Sequence, residues 1–279
     1  MGLFDFFNET KESIDRGRQA REYISQAKDY IRSGEEIYER AYDKVIAYAS
    51  ETEYELRKHS EYKKKLAQEL GSSVGNTLKN FNQFNIDSKI ITAPSIQNLT
   101  VSSADIGLFQ SAISSCMPHL DIPSIFDMFI SDDDYREARR QRDEAKRYRE
   151  RMKMERERLY NYKEKMSEIR SFISSEKSEL DSLMEKIKKM TRELQTGMQK
   201  NGFTKEEADY LKGIHKITEY MVTLLSTEFL NDSFFITQKY EKLFENIKNI
   251  NRNLPYAPSV SDTSTLTVLR SILDGTIVY

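Results

Sequence analysis

An unbroken seven-residue repeat of apolar side chains runs through the second half of the chain. It starts at Ala138 and continues without a miss through nine heptads. Its members are Ala138, Ala145, Met152, Leu159, Met166, Ile173, Leu180, Ile187 and Leu194. An apolar residue at every seventh position is typical of a coiled-coil seam, which a helix has to bury against a partner. The repeat therefore predicts a long coiled-coil helix over residues 132–200.

A second seven-residue row predicts another long helix over residues 9–70. The row consists of Ile24, Ile31, Tyr38, Val45, Thr52, His59 and Leu66, and the small residues Ala27, Gly34 and Ala41 lie beside it. Small residues at a seam allow two helix backbones to approach closely. We therefore expect the two long helices to pair with each other.

The segment between the two helices, residues 71–131, has a different composition. It carries few charges and holds three of the five prolines, Pro94, Pro118 and Pro123. We interpret it as a compact low-charge head at the turn of an antiparallel hairpin. In that hairpin residues 9–70 fold back on residues 132–200, which brings Glu53 near Arg151.

Helix signals continue after the repeat. Asn201 and Gly202 predict a helix end, and Thr204 with Glu207 has the pattern of a capping box at the start of a new helix. We expect that helix over residues 201–254, with a break near residues 231–233, and a tail over residues 255–279 that contains a short helix. The predicted fold class is all-α: a long antiparallel coiled-coil helical hairpin with a low-charge head at its turn and additional C-terminal helices.

Composition argues against an α/β enzyme. Charged residues make up 32% of the chain, Gly and Pro are scarce and Trp is absent, which favours long helices. The three histidines, His59, His119 and His215, lie on separate segments without a ligand-spaced partner. We therefore predict no enzymatic activity, no cofactor and no metal ion. The single Cys116 indicates a reducing compartment, so we expect a cytoplasmic location.

The first eight residues form an amphipathic N-terminal segment. It contains Leu3, Phe4, Phe6 and Phe7, and basic residues follow from Lys11 onward. A membrane-surface anchor uses this combination, because aromatic side chains enter the headgroup boundary while basic side chains lie over anionic lipid. The alternative is that these side chains dock on the protein's own helical bundle. The opening resembles that of the phage-shock and vesicle-inducing membrane proteins, which implies a long helical hairpin at the periphery of a membrane.

A basic stripe lies near the start of the second long helix. Its members are Arg139, Arg142, Arg149 and Arg156. Such a stripe could follow phosphates or anionic lipid, although a net charge of −2 excludes a globally electrostatic nucleic-acid binder. We favour an internal role, in which the antiparallel hairpin sets the stripe against Glu51, Glu53 and Glu55.

Three functions remain open from the sequence. The first is a non-enzymatic coiled-coil scaffold or membrane-associated assembly protein, which self-associates or binds a protein partner and contacts an anionic membrane surface. The second is an α-helical pore-forming protein, because the arrangement resembles that of the cytolysin-like helical toxins. The 71–131 head departs from their apolar tongue by carrying Asp105, Asp121 and Asp127. The third is an accessory subunit of a nucleic-acid-associated complex, which is not favoured.

Overall fold

The structure is a computed structural model that describes residues 3–75, 108–115, 134–197 and 204–277. It confirms the all-α fold class, with two long packed helices and additional helices after them. The helices in chain order are α1 (Leu3–Leu70), α2 (Leu108–Ser115), α3 (Asp134–Gly197), α4 (Lys205–Ser226), α5 (Gln238–Asn253) and α6 (Thr263–Leu273), and a π-helical turn, Gly71–Gly75, continues α1.

The chain divides into two compact units. The first contains residues 1–51 and 107–166, and the second contains residues 52–106 and 167–279. Each unit therefore contains one part of α1 and one part of α3. The three helices α4, α5 and α6 all belong to the second unit.

In the first unit α1 and α3 run parallel. The ring centroids of Tyr23 and Tyr135 are 5.7 Å apart. Further along both helices, the amine of Lys163 lies 5.6 Å from the centre of the Tyr48 ring. Residue numbers rise together along the two helices, so their N-termini point the same way.

The second unit shows the same direction of pairing. His59 Nε2 lies 2.9 Å from Glu176 Oε2, and ten residues further along α1, Glu69 Oε1 lies 2.5 Å from Lys188 Nζ. In these contacts the α3 residue lies between 112 and 119 positions after its α1 partner. The predicted antiparallel direction of the pair is therefore wrong, although the pairing of the two long helices is confirmed.

The direction was missed because a heptad pattern does not encode it. Apolar rows at seven-residue spacing can interlock with a partner that points either way. The antiparallel interpretation assumed that residues 71–131 form a local turn. That segment holds enough residues to span roughly 90 Å even in a helical conformation, at about 1.5 Å per residue. It can therefore return the chain to the start of a parallel partner. Of the predicted head, the described residues include only 71–75 and α2, in which Phe109 and Ile113 are buried.

The apolar repeat of α3 lies at buried positions throughout. All nine members are at most 8% exposed, from Ala138 in the first unit to Leu194 in the second. Opposite them, a Cβ atom added to Gly34 of α1 would lie 3.1 Å from the ring of Tyr148 and 3.2 Å from Met152 Cγ. The helices approach closely at this point, and the small residue at position 34 permits it.

The C-terminal helices form a compact bundle in the second unit. The capping box predicted at Thr204 is confirmed, because its hydroxyl accepts from the Glu207 N–H while the Glu207 side chain accepts from the Thr204 N–H. The helix expected over residues 201–254 is two helices, α4 and α5, separated by a connection over residues 227–237. Gly213 of α4 packs against Leu269 of α6 so closely that an added Cβ would lie 2.7 Å from the Leu269 side chain.

A disulfide crosslink tests the parallel direction. Ala27 and Ala145 belong to one buried cluster in the first unit, so cysteines at both positions in a Cys116→Ser background should form an intramolecular disulfide on mild oxidation. Mass spectrometry of the dilute monomer after proteolysis would detect the crosslinked peptide. The matched control is the pair Glu53→Cys and Arg151→Cys, which the antiparallel register predicts to be adjacent. A crosslink in the control pair without one at Ala27 and Ala145 would contradict the parallel assignment.

Candidate functional site

Three of the four arginines of the basic stripe are half-buried, and Arg139 is exposed. Arg142 donates to Asp143 at 2.7 Å and its guanidinium carbon lies 4.4 Å from the centre of the Tyr23 ring. Arg149 repeats this arrangement with Glu150 at 3.3 Å and the Tyr30 ring at 4.6 Å. Of the remaining two arginines, Arg156 also pairs with the acidic residue that follows it, Glu157, and Arg139 is exposed.

The contacts of the stripe are therefore internal, but they differ from those that the sequence suggested. The tyrosine faces of α1 and the next acidic residue of α3 surround the guanidinium groups, as cation–π and ion-pair contacts. Pairing with Glu51, Glu53 and Glu55 followed from the antiparallel direction and is lost with it. Each such surface contact contributes little to stability, because water screens it.

The N-terminal apolar residues occupy the first turns of a helix. Helix α1 begins at Leu3, so Phe4, Phe6 and Phe7 are part of it. The side chains of residues 1–12 are outside the described part of the structure. In the ranges that it does describe, no helix is sufficiently long and apolar to cross a membrane. Within those same ranges, no three His, Cys, Asp or Glu side chains are grouped closely enough to hold a metal ion.

The most unusual feature of the described residues is a buried polar cluster in the second unit. It consists of His59 and Lys63 on α1, Glu176 on α3 and Tyr240 on α5, and we call it the Glu176 cluster. Glu176, Lys63 and Tyr240 are fully buried, and His59 is 5% exposed. Four ionisable side chains at such depth are uncommon in a helical core, because each has to be paired or neutralised.

Glu176 is the acceptor at the centre of this cluster. Its Oε2 lies 2.9 Å from His59 Nε2, and its Oε1 accepts from the Tyr240 hydroxyl at 2.5 Å. An ionised carboxylate only accepts, so His59 donates through Nε2. The single carboxylate thus connects α1, α3 and α5 through two hydrogen bonds.

The electrostatics of the cluster favour an ionised carboxylate beside a neutral phenol. Burial alone would raise the pKa of Glu176, but the hydrogen bond and charge of His59, the charge of Lys63 and the Tyr240 hydrogen bond together hold that pKa below its usual value. Burial and the adjacent Glu176 charge raise the pKa of Tyr240 far above its ordinary range. Tyr240 therefore remains a hydrogen-bond donor at neutral pH.

Aromatic rings enclose the Glu176 cluster. Phe229 lies 4.9 Å from the His59 ring and 5.0 Å from the Tyr240 ring, measured between centroids. Phe172 of α3 contacts Phe244 of α5 at 4.9 Å. These rings exclude water from the carboxylate, so its hydrogen bonds are stronger than exposed ones.

The arrangement is suited to holding helices rather than to chemistry. A His, a Glu and a Tyr within hydrogen-bond distance can form an acid–base site when one of them is open to a substrate. Here both oxygens of Glu176 are occupied by side chains of the same core, and the carboxylate is 0% exposed. The geometry therefore supports a structural role for the cluster.

Two further polar anchors hold the C-terminal bundle. Lys186 of α3 is buried, and its amine donates to the carbonyl oxygens of Asn251 and Leu254, at 2.5 and 2.8 Å, where α5 ends. Glu193 of α3 accepts from the Tyr210 hydroxyl at 2.9 Å and from the Val260 N–H at 3.1 Å. Both side chains attach the segment between α5 and α6 to α3.

Sequence reasoning overlooked these groups, although some signals were present. His59 stands in the apolar row of α1, and Glu176 interrupts the row that accompanies the α3 repeat. Lys63 lies seven residues after Leu56 and seven before Leu70, both of which are buried. A charged residue at a seam position predicts a buried polar contact, but its partner cannot be identified before the direction of pairing is known.

No protein-family model, no curated protein and no solved structure matches this chain. A function for the chain therefore has to be argued from its own residues and their geometry.

Removing one hydroxyl tests the role of the Glu176 cluster. In Tyr240→Phe the carboxylate loses the donor to its Oε1 while the ring is retained, so we expect a loss of about 1.5–3 kcal/mol in the free energy of unfolding. Urea unfolding followed by circular dichroism measures it. The matched control is Tyr256→Phe, because Tyr256 is 83% exposed, and this change should be nearly neutral. Equal effects of the two substitutions would show that the buried hydroxyl is not a stabilising donor.

Proposed function

We propose that this protein is a non-enzymatic coiled-coil scaffold that assembles at the cytoplasmic surface of an anionic membrane. The observation that carries the proposal is the pair of packed parallel helices, α1 of 68 residues and α3 of 64 residues. Together they account for nearly half of the chain. Long paired helices present extended surfaces to partners, which is how coiled-coil scaffolds act.

The use of buried and half-buried ionisable groups supports a scaffold. Hydrogen bonds of three such side chains connect α3 to other parts of the second unit. These side chains are Glu176, Lys186 and Glu193. Groups in an active site have to remain available to a substrate, whereas these three are occupied within the protein. Their contacts maintain the shape of the second unit.

The start of α1 supports the membrane component of the proposal. In an ideal α-helix the positions of Leu3, Phe4, Phe6 and Phe7 fall within an arc of about 160°. Together these residues can bury a few hundred square ångströms at a lipid boundary, which corresponds to roughly several kcal/mol at about 25 cal/mol per Å². One copy would bind weakly after the costs of ordering, and an assembly that displays several copies would bind well through avidity. Self-association and membrane binding therefore reinforce each other.

The two alternative functions have no specific support among the described residues. Most of the 71–131 segment that would enter a membrane in a pore-forming protein lies outside them. The basic stripe proposed for nucleic acid has Arg142 and Arg149 stacked on tyrosine rings and paired with acidic neighbours. The scaffold remains the function that the geometry supports best.

Liposome flotation tests the membrane component. Native protein should float with vesicles that contain anionic lipid, and Phe4→Ser/Phe7→Ser should reduce the floated fraction by about tenfold or more, because two of the four apolar side chains are lost. The matched control is Tyr256→Ser, which removes an exposed ring elsewhere and should float as the native protein does. Flotation that is absent, or equal in all three proteins, would remove the membrane component.

The assembly component needs its own measurement. Sedimentation equilibrium of the native protein over a hundredfold range of concentration should reveal reversible self-association. A strict monomer over that range, combined with no flotation, would overturn the scaffold proposal in this form.

A further inference from the structure

Lys63 is buried, and the described part of the chain provides its amine with no hydrogen-bond acceptor. Its side chain is 0% exposed, and its amine has no hydrogen-bond partner among the described residues. The groups nearest the amine are two aromatic faces, with the centre of the Tyr240 ring at 4.3 Å and that of the Phe229 ring at 5.3 Å. Lys186, which is also buried, donates to two backbone carbonyls instead.

An ammonium ion in this position is costly. Cation–π contacts replace only part of the hydration that the ion loses on burial. The Glu176 carboxylate is close enough to attract it, yet both oxygens of that group already accept from His59 and Tyr240. The protein thus carries a buried cation that its own core does not satisfy.

The residues that cover Lys63 indicate which movement would return its amine to water and so remove the free-energy cost of burying the charge. The amine is covered by Tyr240 in the first turn of α5 and by Phe229 in the connection before α5. If those two residues move away from α1, the amine regains water while the pairing of α1 with α3 is retained. Opening at the start of α5 would therefore hydrate Lys63, with loss of the hydrogen bond from Tyr240 to Glu176.

We propose that the charge of Lys63 controls how tightly the first turns of α5 and the preceding connection pack against α1 and α3. This packing loosens while the amine is protonated and closes when the proton is lost. We call this device the Lys63 latch. In the open state the aromatic cluster of Phe172, Phe229 and Phe244 would lose its cover. This inference concerns the second unit and does not depend on membrane binding or on self-association.

The direction of the pH effect follows from the two states of the lysine. Burial lowers the pKa of Lys63 from 10.5 to about 8 in the folded protein, although the Glu176 charge opposes the change. Between those two values the unfolded or open chain binds a proton that the closed state lacks, so the closed state gains stability as pH rises. The two values correspond to roughly a 300-fold difference in the opening equilibrium constant.

The two tyrosines and the glutamate around Lys63 do not produce this change in the same pH range. On α1 and α5, the pKa values of Tyr62 and Tyr240 are raised, mainly by burial, so these phenols weaken the folded state only above about pH 10. On α3, Glu176 has a lowered pKa and titrates in acid. His59 and Asp181 also face this region.

Hydrogen exchange of the Lys63→Met variant tests the latch. Methionine retains the length of the side chain without its charge, and Glu176 keeps both of its donors. At pH 7 we expect the amides of α5 to exchange about tenfold or more slowly than in the native protein, with a smaller change in α4. The matched control is Lys64→Met, because Lys64 is exposed on the next position of the same helix, and its exchange should equal that of the native protein.

Two results would overturn the proposal. The first is exchange in α5 that is unchanged or faster in Lys63→Met, and the second is an equal slowing in α4, α5 and α6, which would indicate global stabilisation without a local latch. If the variant does not fold, the native protein still provides a test. Its α5 opening constant, corrected for the intrinsic pH dependence of exchange, should fall by about tenfold or more between pH 7.5 and 9.5. No fall over that range would also refute the latch.

Discussion

The seam between α1 and α3 imposes the constraint on which the rest of the structure depends. Two helices with similar apolar rows could pair in several registers, since a shift of one heptad again sets apolar residues against each other. The polar residues that interrupt these apolar rows restrict the pair to one register. A shift by seven residues would set Glu176 opposite Thr52 or Leu66 instead of His59, and a buried carboxylate without its donor costs several kcal/mol, about 3–5 for a broken buried pair. We infer that the contact between His59 and Glu176 selects the register of the parallel pair.

The C-terminal bundle depends on the same helix α3. Tyr240 reaches Glu176, the end of α5 is bound by Lys186, and the segment before α6 is bound by Glu193. These three anchors lie at positions 176, 186 and 193 of α3, which are ten and seven residues apart. Each satisfies polar groups that a helix end or loop would otherwise leave unpaired in the core. The second unit is therefore built around one face of α3.

Sequence reasoning identified the elements of this fold but not their mutual arrangement. Helix existence was predictable, because heptad spacing, the Thr204 capping box and the break after α4 are local signals that neighbouring residues alone determine. The direction of α3 relative to α1 was not, because it depends on where residues 71–133 lead the chain, and the heptad rows permit both directions. The Glu176 cluster depends in turn on that direction, so its members appeared only as isolated interruptions at His59 and Glu176.

The two buried lysines show why position along a neighbouring helix decides the cost of a buried charge. Lys186 meets the C-terminal end of α5, where carbonyl oxygens have no partner within the helix and the helix dipole is negative, so its ammonium gains both hydrogen bonds and a favourable field. Lys63 meets the first turn of the same helix, where the dipole is positive and free N–H groups cannot accept. The aromatic faces of Tyr240 and Phe229 offer less than a carbonyl would. The two ends of α5 therefore differ: the C-terminal end satisfies the ammonium of Lys186, whereas the N-terminal end is anchored by the hydrogen bond from Tyr240 to Glu176 but offers Lys63 no acceptor among the described residues.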